Sequence, residues 1–120
     1  MTTTRATALI TAGQLDQRLT LQSRAAGSDG RGQAAGAWLD VATVWGRARP
    51  LRSRELFAAG QVQNVSDVEF TLRWRADVRT TWRVLWRGTP HDITGEPIDI
   101  DGQQQWLQLL ASTGVRDAND

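Results

Sequence analysis

The residues of this chain that could do chemistry are few. His91 is the sole imidazole and cysteine is absent, so a nucleophile-histidine arrangement has one available base, and neither a disulfide nor a thiolate metal site can form. Asp92 follows directly in the sequence. On a strand, neighbouring side chains point to opposite faces, so this carboxylate cannot orient the ring, and His91 reads as a structural histidine. Asp99 and Asp101 form a D-x-D pair that could hold a divalent cation. With no third ligand and no EF-hand pattern, they read instead as a solvated turn. The run GSDGRG contains Ser28, Asp29, Gly30 and Arg31 but lacks the lysine and the strand-to-helix setting of a phosphate-binding loop. No catalytic residue, metal ligand set or cofactor site is assigned, and the chain is not expected to be an enzyme.

A different signal comes from interleaved tryptophan and arginine in FTLRWRADVRTTWRVLWRG. Exposed aromatics with arginine on a small barrel would suit a single-stranded nucleic acid, whose bases stack on the rings. An OB-like barrel binding single strands is therefore the alternative reading. In this pattern, however, the tryptophans share the apolar face and the arginines lie opposite, which predicts indoles in the core and guanidiniums in water.

Guanidinium pairs well with carboxylate in a fixed fork geometry, which favours a protein interface. The net charge is only +1, too balanced for a domain built to grip a polyanion. Arginine dominates from Asp40 to Gly88, including Arg47, Arg49, Arg52, Arg54, Arg83 and Arg87, while the charges from Pro90 to Gln105 are Asp92, Glu96, Asp99 and Asp101. A basic and an acidic surface on one small domain could meet head to tail between copies. The candidate interface residues are Arg47, Arg49, Arg52, Arg54, Glu55, Phe57, Arg83, Arg87, Asp92, Asp99 and Asp101, with Ser28, Asp29, Gly30 and Arg31 as a contact loop.

The elements that must position these groups are mostly short strands. At 120 residues the chain suits one domain with a single core. Six tryptophans, two phenylalanines and no tyrosine leave the indoles to supply most aromatic burial. Residues 1–13 read as an N-terminal arm, either disordered or carrying one helical turn. The domain spans 14–112 and a polar tail 113–120. Leu19 and Leu21 alternate with polar residues in a first strand from Gln14 to Arg24. The glycine-rich stretch from Ala25 to Gly36 is a long loop, either a loose hairpin tip or an arm that orders on contact. A second strand from Ala37 to Arg49, apolar in part on both faces, is either buried centrally or kinked by a bulge near Gly46, and ends at Pro50. A short helical insert follows from Leu51 to Gly60, capped by Ser53 with Glu55 in its first turn. Val68, Phe70, Leu72 and Trp74 alternate in the next strand, Trp82, Val84 and Trp86 in another, and two shorter strands complete the chain. Parallel crossovers need more chain than remains. The expectation is a mainly β fold, a small antiparallel β-barrel of about six strands with one short helical insert. No apolar run approaches the roughly 18 residues that cross a bilayer, and the N-terminus lacks a secretory pattern. No membrane contact is expected, and synthesis in a cytoplasm is.

Order and spacing of several motifs carry a family resemblance. GQLDQRLTLQ resembles a G-x-L-x-x-R-hydrophobic opening at Gly13, Leu15 and Arg18. GAWLDVATVWGRARPLRSRELFAAGQ is similar to W-x-x-V-A-x-x-W-A followed by R-P-L, a polar turn, E-L and a Gln-rich stretch. Trp38, Val41, Ala42, Trp45, Arg49, Pro50, Leu51, Glu55 and Leu56 fill those places, with Gly46 where alanine is usual. WRVLWRGTPHDITG and QQWLQLLAS resemble the later segments. From about Gly13 to Ala111 the chain resembles the head-tail joining, or head-completion connector, proteins of long-tailed phages. That resemblance implies a non-enzymatic β-barrel subunit of a ring, of twelve copies in the virion, below the portal vertex. The implied partners are the portal or adaptor ring and the tail-completion proteins, with packaged double-stranded DNA nearby and not read for sequence. The implied place is the head-tail connector of a virion made in a bacterial host's cytoplasm. The insert Leu51 to Gly60 and the loop Ala25 to Gly36 would be the contact arms.

Overall fold

A computed structural model describes residues 10–24, 36–58 and 60–113. Seven strands follow in order: β1 Gln17–Arg24, β2 Trp38–Ala58, β3 Gln61–Arg73, β4 Arg83–Trp86, β5 Thr89–Ile93, β6 Ile98–Asp99 and β7 Trp106–Ser112, with 3-10 turns at Ala12–Gln14 and Ile100–Gly102. All pairings are antiparallel. The order β3-β2-β1-β4-β5-β7 closes on itself because β7 also pairs with β3. Closure satisfies both edges of a curled sheet. The two-residue β6 lies outside this circuit, beside Leu107 and Gln108 of β7, while β5 takes Ala111 and Ser112. The mainly β, antiparallel expectation holds.

Strand alternation sorts the side chains. Leu19 and Leu21 of β1, Val68, Phe70 and Leu72 of β3, Val84 of β4, Ile93 of β5 and Leu107, Leu109 and Ala111 of β7 turn inward and form one buried cluster. Gly46 is itself a point of close approach. A methyl group there would lie 2.9 Å from the Thr71 carbonyl oxygen and run into the Leu19 side chain, so the missing Cβ lets β1, β2 and β3 meet. The β1–β2 register shifts between Leu21 and Gln22, not at Gly46 as the sequence suggested.

The tryptophans do not build this core. Trp74, Trp82 and Trp86 pack half-buried against it, and Trp106 joins Leu15 and Ile100 in a separate small cluster. Trp45 is 52% exposed. A closed circuit of six strands has an interior narrower than the eight-stranded case, which side chains just fill. It admits Phe70 and branched aliphatics but not six indoles.

The helical insert expected from Leu51 to Gly60 is absent. β2 runs unbroken to Ala58 and turns through Gly60, at φ 76°, into β3. A two-turn helix with only Leu56 and Phe57 to bury is marginal in water, whereas the β3 ladder satisfies the backbone of this stretch along its length. Pro50 does not end the strand either. Past Gly46, β2 has left β1 and keeps β3 as its neighbour, and the β2–β3 register shifts between Pro50 and Arg52. A proline is tolerated on such an edge and at a bulge. The outer halves of β2 and β3 thus form a two-stranded ribbon that projects from the closed circuit. The radius of gyration, 15.8 Å, exceeds the roughly 13 Å of a compact hundred-residue domain.

Candidate functional site

The ribbon is tied down at its root by a buried carboxylate. Asp67 of β3 faces Arg52 across the β2–β3 ladder, and its side chain is 7% exposed. Arg52 Nε donates to Oδ2 at 2.7 Å, Arg54 Nε to the same oxygen at 3.0 Å, and Ser112 Oγ of β7 to Oδ1. Burial alone would raise the Asp67 pKa. The hydrogen bonds from Arg54, Arg52 and Ser112 overcome that cost and hold it far below the usual carboxylate range. One rung further into the circuit, Arg49 and Glu69 form an ion pair at 3.2 Å. The basic stretch of β2 therefore meets the acids of β3, its own neighbour, rather than standing free against the distant acidic segment.

The ribbon beyond this root is apolar at its tip. Phe57 and Val62 are direct cross-strand partners and are 71% and 55% exposed. Leu51, at the bulge, is also exposed, and Glu55 lies opposite Asn64. Arg47 lies further down, lining a groove of about 140 Å³ with Ile10, Arg49, Glu69 and Thr71.

The remaining candidate residues are dispersed. Arg83 lies across from Asp92 in the β4–β5 ladder, donates from Nε to Gln22 Oε1 at 2.7 Å and sits 4.1 Å from the Trp38 ring. Arg87 occupies a turn at φ 53° and stacks 4.7 Å from Trp86. Asp99 Oδ1 accepts the Gln104 amide at 2.8 Å and so holds the turn after β6, while Asp101 lies in that turn at φ 60°. Ser28, Asp29, Gly30 and Arg31 lie outside the described residues.

His91 is buried against Phe70 and Trp86, with ring centroids 5.4 and 5.7 Å away. Its Nδ1 faces the Thr89 carbonyl at 2.9 Å, and a carbonyl only accepts, so this nitrogen carries the proton. Burial pushes its pKa down, against the Thr89 and Val84 backbone and the Asp92 charge. The geometry is that of a core residue. Among the described residues no three metal-ligating side chains cluster, and no helix is long and apolar enough to cross a membrane.

One arrangement escaped the sequence reading. Arg18 of β1 stacks 4.6 Å from the ring of its cross-strand partner Trp45, and Arg73 of β3 stacks 5.3 Å from its partner Trp106. Since Gly46 pairs with Leu72, Trp45 and Arg73 are the next residues along on their two strands. Arginine and indole therefore share the outer face, contrary to the segregation expected within each strand. The signal lay between strands, in a register that a linear pattern does not carry. Beside this row a cleft of about 340 Å³ is lined by Leu15, Val44, Trp45, Arg73, Trp74 and Arg75.

Comparison with known proteins completes the picture. Residues 10–114 match the family described as phage head completion protein. The chain is 26% identical over 91 residues to head completion protein gp16 of Bacillus phage SPP1, covering 76% of this chain and 84% of that protein. Its fold is similar to that of protein SF1141 from Shigella flexneri 2a, with a TM-score of 0.65 at 22% identity over 90% of this chain and all of that one. It is similar also to a chain in the virion of a native gene transfer agent particle, with a TM-score of 0.69 at 16% identity over 82% of this chain and 94% of that one. The family match runs from two residues before the first 3-10 turn to two residues past the end of β7, through the closed circuit and the ribbon alike, and the chain belongs to the phage head completion protein family.

Proposed function

We propose that this chain is a connector subunit that assembles as a ring of twelve copies below the portal, joins head to tail and helps to retain packaged DNA. The observation that carries this reading is the β2–β3 ribbon in a member of the head completion family. It presents Phe57 and Val62 to solvent at its tip, and a paired apolar surface on a projecting arm favours a partner that covers it. The portal or adaptor ring and the tail-completion proteins are the partners this reading names. Glu55, Arg47 and Arg87, exposed or half-exposed around the ribbon and the β4–β5 turn, belong to the contact surface. DNA lies close without being read, in keeping with a net charge of +1. The subunit is made in the bacterial host's cytoplasm and ends in the virion; the role calls on no cofactor and no catalytic group.

A second reading, an OB-like domain for single strands, draws on Trp45, whose exposed indole could stack a base. Arg18 covers that ring at 4.6 Å, which weakens it. The deciding measurement is the mass of portal-bearing capsids of the same phage before and after addition of the purified chain. Saturable, stoichiometric addition is expected. Failure to add, together with binding to single-stranded DNA that falls steeply with salt, would replace the connector by the OB-like domain.

A further inference from the structure

Ion pairs among the described residues take Arg49, Arg52, Arg54 and Arg75, and three arginines on the outer face of the sheet, Arg18, Arg47 and Arg73, stand in none of them. Register brings these three together. Arg18 of β1 pairs with Trp45 of β2, Trp45 stands beside Arg73 of β3, and Arg73 pairs with Trp106 of β7. Arginine and indole thus alternate in one row across four neighbouring strands. Arg47 follows Trp45 by two residues on β2 and so shares its face.

The row suits an anion of a particular kind. The guanidiniums of Arg18 and Arg73 lie 4.6 and 5.3 Å from indole rings. Stacking of this kind fixes the plane of a guanidinium and leaves its N–H fork free for a carboxylate. Two strand spacings, about 10 Å, separate the two arginines, with Trp45 between them. Beside Trp45 opens the cleft of about 340 Å³, with Leu15, Val44 and Trp74 in its wall. Leu15 also packs with Ile100 and Trp106, and Ile100 borders the groove that holds Arg47, so cleft, row and groove form one continuous outer surface.

A phosphate backbone fits this surface poorly. Arg18 already covers the ring of Trp45, Glu69 presents a carboxylate in the same groove as Arg47, and three guanidiniums beside an apolar recess make a short patch rather than a track for a polyanion. A protein segment fits it well, because carboxylates answer the forks and an apolar side chain answers the recess. Charge pairing of this sort speeds an encounter and fixes its register more than it adds affinity. The step that needs both is the capture of a free subunit by the ring already standing on the capsid.

We propose that the Arg18–Trp45–Arg73 row docks an acidic segment of the ring on the capsid, with two carboxylates on the stacked guanidiniums and an apolar side chain in the cleft beside Trp45. This rests on the connector reading above for the source of the segment, while the chemistry of the surface is open to test on the free chain. It moves the basic side of the contact away from Arg49, Arg52, Arg54 and Arg83, whose guanidiniums are engaged within their own chain.

The test has two arms. In the first, labelled poly-L-glutamate is expected to bind the free chain, read by fluorescence anisotropy, and to dissociate as salt rises, as exposed charge pairs do. Arg73→Glu is expected to weaken that binding at least tenfold. In the second, Arg18→Glu and Arg73→Glu are each expected to lower addition to portal-bearing capsids at least tenfold at a fixed concentration, and Trp45→Ala by a smaller factor. Arg24→Glu, the same charge change at the far end of β1, about 20 Å away, is expected to add like the unaltered chain. Thermal melting of each free variant checks that the subunit is folded, and Arg18→Glu, at an exposed site, serves if Arg73→Glu does not fold. If the unaltered chain adds and both row variants add equally well, the docking surface lies elsewhere while the connector reading stands. A loss as large in Arg24→Glu reports overall charge and also overturns the site. If the unaltered chain does not add at all, the connector reading falls and this docking with it. If single-stranded or duplex DNA binds the free chain more tightly than poly-L-glutamate at the same salt, and Arg73→Glu abolishes that binding, the row is a nucleic-acid site and the proposal is wrong.

Discussion

The same two strands, β2 and β3, build both the wall of the closed circuit and the ribbon that leaves it. In the wall, β3 has neighbours on both sides and carries Val68, Phe70 and Leu72 inward to a core from which water is excluded. In the ribbon it has β2 alone, and Gln61 to Asn64 are all exposed. The ladder is continuous, so backbone pairing does not distinguish the two regions. Burial does. The wall is held by apolar packing, the ribbon by its ladder and by the polar knot at Asp67.

That contrast can be broken most sharply with one pair of substitutions of the same residue type. Phe70→Ala is expected to destabilise the subunit by about 3–5 kcal/mol, the cost of emptying a fully packed aromatic site. Phe57→Ala is expected to move stability by no more than about 0.5 kcal/mol. Urea denaturation of both variants measures the difference, and equal losses would show that the ribbon tip is part of the core after all.

The polar knot gives an intermediate effect with a pH signature. Asp67→Asn is expected to cost about 2 kcal/mol, the range of hydrogen bonds to a charged group. The folded pKa of Asp67 lies below its ordinary 3.8, so the carboxylate's contribution is fully present above that ordinary value. It is lost as pH falls from there through the depressed folded value. Hydrogen exchange should therefore show ribbon amides losing protection in acid ahead of those of the wall, and Asp67→Asn should remove that step. The smallest effect belongs to the neighbouring pair: Arg49→Ala, at a side chain 55% exposed, is expected to change stability by no more than about 0.5 kcal/mol.

The wall was largely legible in the sequence because period-two alternation reports burial on one face, and Val68, Phe70 and Leu72 follow it faithfully. The ribbon was misread because Ser53, Glu55 and Gly60 are good local signals for a helix's start and stop. The signal for a strand lies in Gln61 to Asn64, which is mostly polar and distinguished only by being in register with β2. The charge partition, too, looks different once register is known. Counted along the chain, Arg49, Arg52 and Arg54 belong to a basic stretch. Folded, they stand opposite Asp67 and Glu69, whose positions matter more than their number. The tryptophans mislead a composition argument, since a narrow interior excludes side chains that hydrophobicity alone would send inside. The family motifs, by contrast, needed no knowledge of register, and they identified the lineage while the local reading mistook Leu51 to Gly60 for a helix.

Among the described residues no strand pairs with the side of β2 away from β3 beyond Gly46, an edge of the kind on which foreign strands add and chains precipitate. Pro50 removes one amide donor from that strand, and the bulge at Leu51 immediately breaks its regular spacing. An invading strand would find the regular run of donors and acceptors interrupted at this point. Two adjacent residues thereby interrupt this edge against strand addition.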